Sequence, residues 1–376
     1  MLHAKNTAAE PFMLREIYAQ PQAILQTVQQ HLQEDQIFPG ELQNVEGALM
    51  SFSKLIIAAS GSSRHAGLAG EIMIEDLSGI PVDVEYASEY CYRSTHAGTD
   101  PVVMLVTQSG ETADTIAAQR EALSRGARTI AICNVEDSTI AREAGAALLT
   151  CAGTEVAVPA TKSFAAQLAV LYLFALFLAR KCGRVTSEIL RLHLRRLLDL
   201  PAAMSRALPE WDAQSAECAA RCHAARDFLF LGRGVHCAIA REGALKLKEV
   251  SYAHAEGYPT GELLHGPQAL VTDGCPLVAL VTRDDDDPDS GLRYHKSLSI
   301  LRQAKSRGCK LIAVASAGDR EVESFADWVF FVPPACELLL PVLEVVPLQL
   351  LACHIGIRNG CDVDNPRNLV KSVKQS

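Results

Sequence analysis

Apolar residues fall into short unbroken runs, each closed by small polar residues and followed by a stretch of helical spacing. Lys54–Ser60 (KLIIAAS), Val102–Thr107 (VVMLVT) and Thr129–Cys133 (TIAIC) read as strands buried on both faces, because none alternates apolar with polar. GSSRHAGLAGEIMIEDLSG carries Leu68, Ile72 and Leu77 at helical spacing, and ETADTIAAQREALSRG reads as a helix ending at Gly126. Such strands alternating with helices predict an α/β fold with a parallel sheet covered on both sides.

The second half repeats the plan. CPLVALVTRDDDDPDSGLRYHKSLSILRQAKSRGCKLIAVAS echoes DPVVMLVTQSGETADTIAAQREALSRGARTIAICN: apolar strand, Val-Thr, polar turn, helix, Ser-Arg-Gly, strand. DFLFLGRGVHCAIAREGALKLKEVS likewise echoes strand, Gly turn and helix. The pattern reads as duplication of one unit. Residues 1–45 form a helical lead-in, 46–200 the first domain, 201–355 the second and 356–376 a tail. The joint lies within Cys182–Asp227, where Ile189, Leu190, Leu194, Leu197 and Leu198 mark an amphipathic helix.

A length of 376 residues suits two domains. The net charge of -9 argues against a broad nucleic-acid or membrane surface but leaves room for a local anion site. The twelve cysteines contain no CxxC pair and read as reduced thiols of a cytoplasmic protein; Cys218, Cys222 and His223 are thin grounds for a metal site. The N-terminus lacks the basic-then-apolar pattern of a signal peptide. Phe164–Ala179 is very apolar but short of the ~20 residues that span a bilayer, so it reads as a buried helix. The apolar region from Val329 is interrupted by Pro333, Pro334, Pro341 and Pro347 and is a poor candidate to span.

In open parallel sheets ligands bind where strands end, so the turns after Ser60, Thr107 and Leu231 are candidates. In Gln108-Ser109-Gly110-Glu111-Thr112, a helix starting near Thr112 offers unpaired N–H groups and a positive dipole end, and Ser109 and Thr112 add hydroxyls. Two readings stand for this stretch alone: a phosphate cradle, or a helix capped by Ser109 or Thr112. A second hydroxyl-rich turn with Ser62 and Ser63 favours phosphate. The second-half counterpart, Arg283–Gly291, holds four consecutive aspartates that would repel phosphate; it reads as a solvated acidic loop, with a divalent metal as the rival.

Glu242, Lys246 and Glu249 share one helix face. His254, Glu256, Glu262 and His265 follow in a loop with Gly and Pro, a carboxylate and imidazole set suited to proton transfer. The two histidines lack HxxxH spacing, which disfavours zinc.

The chain resembles the sugar isomerase (SIS) double domain of the glutamine–fructose-6-phosphate aminotransferase family, also called glucosamine-6-phosphate synthases. REIYAQP (Arg15–Pro21), TQSGETADT, AGTEVAVPATKSF, EGALKLKEVSYAHAE, GELLHGP and VDNPRNLVKSV (Val363–Val373) carry the resemblance over nearly the whole chain. It implies two tandem SIS domains, each a parallel sheet flanked by helices in a flavodoxin-like three-layer sandwich. It implies that Ser63, Thr107, Gln108, Ser109 and Thr112 hold a sugar phosphate and that Val158, Glu256 and Val370 line the sugar. Glu249 is then the base between C1 and C2, with Lys246 beside it. His265 assists ring opening from the neighbouring subunit of a homodimer. Lys371 meets the open-chain carbonyl, where a Schiff base is open to it. No cofactor or metal is implied. Thr107 stands where the family has Ser, Ala160 where it has Ser, and Leu264 where it has Lys; Pro159 stiffens the same loop as Ala160. These departures bear on sugar selectivity. The entry segment arrives within about twenty residues, so no counterpart of the family's N-terminal glutaminase domain is expected in this sequence.

The resemblance implies an aminosugar-phosphate isomerase acting as a deaminase, glucosamine-6-phosphate and water giving fructose-6-phosphate and ammonia. Alternatives are an aminotransferase using ammonia from elsewhere, an isomerase for another phosphosugar, and a phosphosugar-sensing regulator.

Overall fold

The computed structural model describes residues 10–52, 54–93 and 102–373. The duplication read from the sequence is present as two five-stranded parallel sheets. The first contains β1 (Leu55–Ala59), β2 (Val82–Tyr86), β3 (Val102–Val106), β4 (Arg128–Cys133) and β5 (Ala146–Leu149), in the order β2-β1-β3-β4-β5. The second contains β6 (Asp227–Gly232), β7 (His254–Pro259), β8 (Pro276–Val281), β9 (Lys310–Ser316) and β10 (Trp328–Val332), in the order β7-β6-β8-β9-β10. Each sheet has the same doubly wound order, whose switch point lies between its first and third strands. Every residue of β1, β3 and β8 is buried, which is why these runs do not alternate.

Seven helices frame the sheets: α1 (Gly61–Ser78), α2 (Ala113–Ser124), α3 (Lys162–Lys181), α4 (Ser187–Cys222), α5 (His236–Ser251), α6 (Pro288–Lys305) and α7 (Leu340–Arg358). In the first domain α1 packs on α3, and in the second α5 packs on α7. The α1–α3 contact is close because position 70 is glycine: a Cβ there would lie 2.8 Å from Leu171 Cδ2. The domains meet through α1 against α5.

Both apolar segments are helices buried inside protein. α3 has 20 residues, longer than the stretch read from sequence, and α3 and the 22-residue helical segment ending in α7 are long and apolar enough to cross a membrane by length and composition. Of their most apolar windows 94% and 89% is nevertheless buried within the chain. Burial of aliphatic side chains at ~1.5–3 kcal/mol each makes these two helices large contributors to core stability. α7 also shows why prolines mislead: Pro341 sits in its first turn, where no N–H partner is needed, and Pro347 is carried in the interior by packing.

The lead-in is not helical throughout. Helices Phe12–Tyr18 and Gln20–Gln30 are followed by a small hairpin, Leu32–Gln33 with Gln36–Ile37. α4 is one helix of 36 residues that runs unbroken through residues 200 and 201, the expected boundary between the halves.

Candidate active site

β1 and β3 are hydrogen-bonded neighbours, with Ala59 opposite Val106, so the Ser60 and Thr107 turns leave the sheet side by side. The second turn is held in shape from below. Gly110 N–H donates to Thr107 Oγ1 (3.3 Å), Asn134 N–H donates to the Gln108 carbonyl (3.0 Å), and Glu111 accepts from Thr139 N–H (2.7 Å). Gly110 has φ +67°, and a Cβ there would lie 2.1 Å from Ser138 Oγ, so only glycine fits.

The capping reading fails here. Thr112 is the residue before α2, yet no side chain caps that helix, and Ser109 Oγ instead accepts from Glu111 N–H (3.1 Å). The start of α2 is met by oxygens of the chain's own tail. Ala113 N–H donates to the Val373 carbonyl (3.0 Å), and Ser372 Oγ lies 3.2 Å from Ser109 Oγ. In the neighbouring turn Ser63 is buried and accepts from Gln167 Nε2 of α3 (3.0 Å).

The Glu242–Lys246–Glu249 face of α5 is not a solvated surface. Glu242 and Lys246 are buried, and Lys246 Nζ lies 2.5 Å from Glu249 and 3.5 Å from Glu242. Two side chains of α1 cross the domain boundary to this face: Ser62 Oγ donates to Glu242 Oε1 (2.8 Å) and His65 Nδ1 lies 2.8 Å from Glu242 Oε2. Burial alone would raise Glu242, but Lys246, His65 and Ser62 hold its carboxyl below the usual range. Burial would lower Lys246, but Glu249 and Glu242 raise it, so it stays a cation. Burial pushes the Glu249 carboxyl up, and Lys246 draws it back only part of the way. The most basic carboxylate of the row is therefore the one with some exposure, its side chain 20% accessible.

The tail closes the site from the other side. Lys371 Nζ donates to Glu155 Oε2 (2.7 Å) and to the Ala157 carbonyl (2.7 Å). Glu155 is fully buried and accepts from Thr161 N–H, Ser163 N–H and Ser163 Oγ at 2.8–3.1 Å. Burial would raise it, but Lys371 and these donors hold it low. Val158 N–H donates to the Asp364 carbonyl (2.8 Å), so the 155–158 loop and the tail are stapled together. Val370 is exposed beside Lys371. Glu155 also acts on Lys246 electrostatically, as the weakest of the influences on it.

Other expected residues lie apart. His254 is exposed on β7 and pairs with Asp227 (3.2 Å). Glu256 accepts from the Tyr258 hydroxyl and lines a separate cleft. His265 ends a short 3-10 turn, Thr260–His265, and is exposed; it has no hydrogen bond or ion pair among the described residues of its own chain. The acidic turn after β8 is spent on structure: Asp284 accepts from Asp286 N–H and Glu337 N–H, Asp287 caps α6, and Asp285 pairs with Arg283. Among the described residues no group of three or more His, Cys, Asp or Glu is placed to hold a metal. His65, Glu155 and Gln167 emerge as site residues only in the structure, and Ser62, read from the sequence as a phosphate-turn hydroxyl, is turned to Glu242 instead. The signal for Glu155 was its place in AGTEVAVPATKSF; for the others it was weak.

Comparison with known proteins agrees with this architecture. The SIS domain model matches residues 49–177 and 223–357. A glutamine–fructose-6-phosphate aminotransferase (isomerizing) from Chlorobaculum tepidum is 44% identical over 367 residues, covering 97% of this chain and 58% of that protein. The chain thus spans about three fifths of the curated relatives it matches. The C-terminal domain of glucosamine-fructose-6-phosphate aminotransferase from Francisella tularensis superposes with a TM-score of 0.88 at 34% identity, covering 96% of this chain and all of that one. A glucosamine-6-phosphate deaminase from Thermotoga maritima shares the fold, with a TM-score of 0.73 at 22% identity, 97% of this chain and all of that one. With two matched segments on two sheets of identical strand order, the chain belongs to the SIS domain family.

Proposed function

We propose that the protein interconverts the aldose and ketose forms of a hexose 6-phosphate carrying nitrogen at C2. In the favoured direction glucosamine-6-phosphate and water give fructose-6-phosphate and ammonia. The observation that carries this reading is the Glu242–Lys246–Glu249 row, buried but for Glu249 and tied to the first domain by Ser62 and His65.

The phosphate binds at Ser63, Gln108, Ser109 and Thr112, above the buried Thr107, with the start of α2 supplying N–H groups in place of the tail oxygens that meet it now. Val158 and Val370 border the path of the sugar; Glu256, expected there from the resemblance, stands in the separate cleft. His265 of a neighbouring copy in a homodimer assists ring opening to the C1 aldehyde. Glu249, raised by burial, then takes the C2 proton, and the C–H electrons form the C1=C2 bond of an enolamine. The Lys371 ammonium faces the oxygen that gains charge at C1 and lends it a proton. Glu249 returns its proton to C1 while the nitrogen lone pair forms the C2 ketimine, which water hydrolyses, releasing ammonia.

The names of the relatives support a second reading: the same steps run backwards, with ammonia from another source aminating fructose-6-phosphate. Incubating the purified protein with glucosamine-6-phosphate, and separately with fructose-6-phosphate and ammonium, distinguishes the two. Ammonia and fructose-6-phosphate in the first arm support deamination. Product only in the second supports amination. Silence in both, with turnover of another phosphosugar, would sink the substrate assignment.

A further inference from the structure

A second cleft lies on a different face of α5, at the junction of the two domains. It has a volume of about 320 Å³ and is walled by Arg64, Arg241, Lys248, Tyr86, Tyr258 and Glu256. None of the residues of the Gln108–Thr112 turn or the tail lines it, and His65 is shared between its lining and the Glu242 contact. Arg241 and Lys248 are seven residues apart and share one helix face, while Glu249 points about a quarter of a turn away and Lys246 about two fifths.

The three cations have no ion-pair partner among the described residues. The one carboxylate in the wall, Glu256, accepts from the Tyr258 hydroxyl and lies 3.8 Å from His254 Nε2. The Arg64 guanidinium stacks on the Tyr86 ring, 3.7 Å from its centroid, and its Nε is buried without a hydrogen-bond partner. Burial, with Arg241 adding to it against Tyr86, Glu71 and Glu85, lowers the Arg64 pKa. Gly61, at the positive start of the 18-residue α1, opens into the same space. Two cations on facing elements, a third at the rim and an unused guanidinium N–H are the recognition elements of a dianion. The tyrosine rings on either side give amphipathic walls for a carbon skeleton.

We propose that this cleft is a second ligand site, distinct from the candidate active site, that binds a phosphate monoester: the phosphate between Arg64 and Arg241, with Lys248 at the rim and the carbon skeleton along Tyr86 and Tyr258. The proposal does not depend on the reaction assigned above. Occupancy would be felt by the active site, because His65 and α5 connect the two.

The test reads Lys248 itself. Lysine acetylation of the intact protein by a soluble amine reagent is followed by peptide mapping, in chloride, in inorganic phosphate and in glucitol 6-phosphate, all at one ionic strength. Severalfold slower labelling of Lys248 in both phosphate arms is expected, with the polyol phosphate acting at lower concentration. The protection is lost in Arg241→Gln and kept in the Ser109→Ala/Thr112→Val double variant, which disables the turn. Labelling indifferent to phosphate, or protection that survives Arg241→Gln in a variant with an unchanged melting temperature, overturns the site. Protection that disappears with the Ser109/Thr112 variant assigns the effect to the active-site turn and also overturns it. Equal potency of the two phosphates overturns the monoester assignment.

Discussion

Four residues after β1 ends at Ala59 stands Ser63; four residues after β6 ends at Gly232 stands His236. Thr107 follows β3, and Thr282 follows β8; both are buried. From the core helices, Gln167 of α3 reaches Ser63, and Glu344 of α7 reaches His236 at 2.8 Å. The two domains thus build the same pocket with different chemistry. In the first, the counterparts are neutral hydroxyls and amides. In the second, a carboxylate of the chain fills the pocket: Glu337 accepts from Ser290 Oγ (2.6 Å) and Arg293 Nη2 (2.9 Å) and lies 2.9 Å from His236 Nε2. In the first copy the chain's own tail meets the turn, through Val373 and Ser372, whereas the second carries an internal anion as part of its core.

Breaking the chemistry of the first copy gives the largest effect. Glu249→Gln lowers kcat by about 10²–10⁴-fold with little change in melting temperature, the usual contribution of a positioned acid–base group. Steady-state kinetics beside thermal denaturation checks both halves of that statement.

Breaking the second copy has the opposite profile. Glu337→Ala leaves Arg293 buried without its anion, while His236 keeps Glu344, and costs about 3–5 kcal/mol of stability. Denaturant unfolding should show this, and added acetate should recover part of it by entering the vacated place. Stability unchanged by the substitution would mean that Glu337 is no internal ligand.

Thr112→Val removes one hydroxyl from the first copy's turn. It weakens inorganic phosphate binding by about tenfold or more, since hydrogen bonds to charged groups contribute ~1.5–3 kcal/mol. Isothermal titration measures this, and an unaltered affinity would place the anion elsewhere. Gly110→Ala disturbs the same turn through its backbone, at a cost of about 1–3 kcal/mol for a positive φ in a residue with a Cβ.

The smallest effect is on pH dependence. Burial would raise Glu337, but His236 and Arg293 pull its carboxyl from 4.5 down to about 2. The unfolded chain binds this proton first as pH falls, so the stabilisation is complete above pH 4.5 and is lost on the way to pH 2. His236 is raised despite burial, mainly by Glu344, so its contribution is present below 6.5 and fades as pH rises through the folded value. An acid unfolding midpoint that does not move in Glu337→Gln would contradict the first assignment.

The sequence was most legible where chemistry is local. The β1, β3 and β4 runs, the Ser109–Thr112 turn and the shared face of Glu242, Lys246 and Glu249 follow from spacing alone. The partners of these residues do not. Lys371 meets Glu155 across 216 positions and His65 meets Glu242 across 177, so periodicity carries no trace of either contact. The acidic turn at Asp284–Asp287 shows the same limit. Its charge was plain, but its task of capping α6 and holding Glu337 N–H depends on where the chain returns. The helical character of Leu340–Arg358 was hidden by Pro341 and Pro347, because tertiary packing outweighs local propensity there.

The central claim is that Glu249 moves a proton between C2 and C1 in the first copy's site. Turnover of glucosamine-6-phosphate deuterated at C2, followed by NMR of the product, tests it directly. The account predicts deuterium at C1 or its exchange into water with the native protein, and loss of both transfer and exchange in Glu249→Gln. Transfer that persists at the native rate in Glu249→Gln would contradict it.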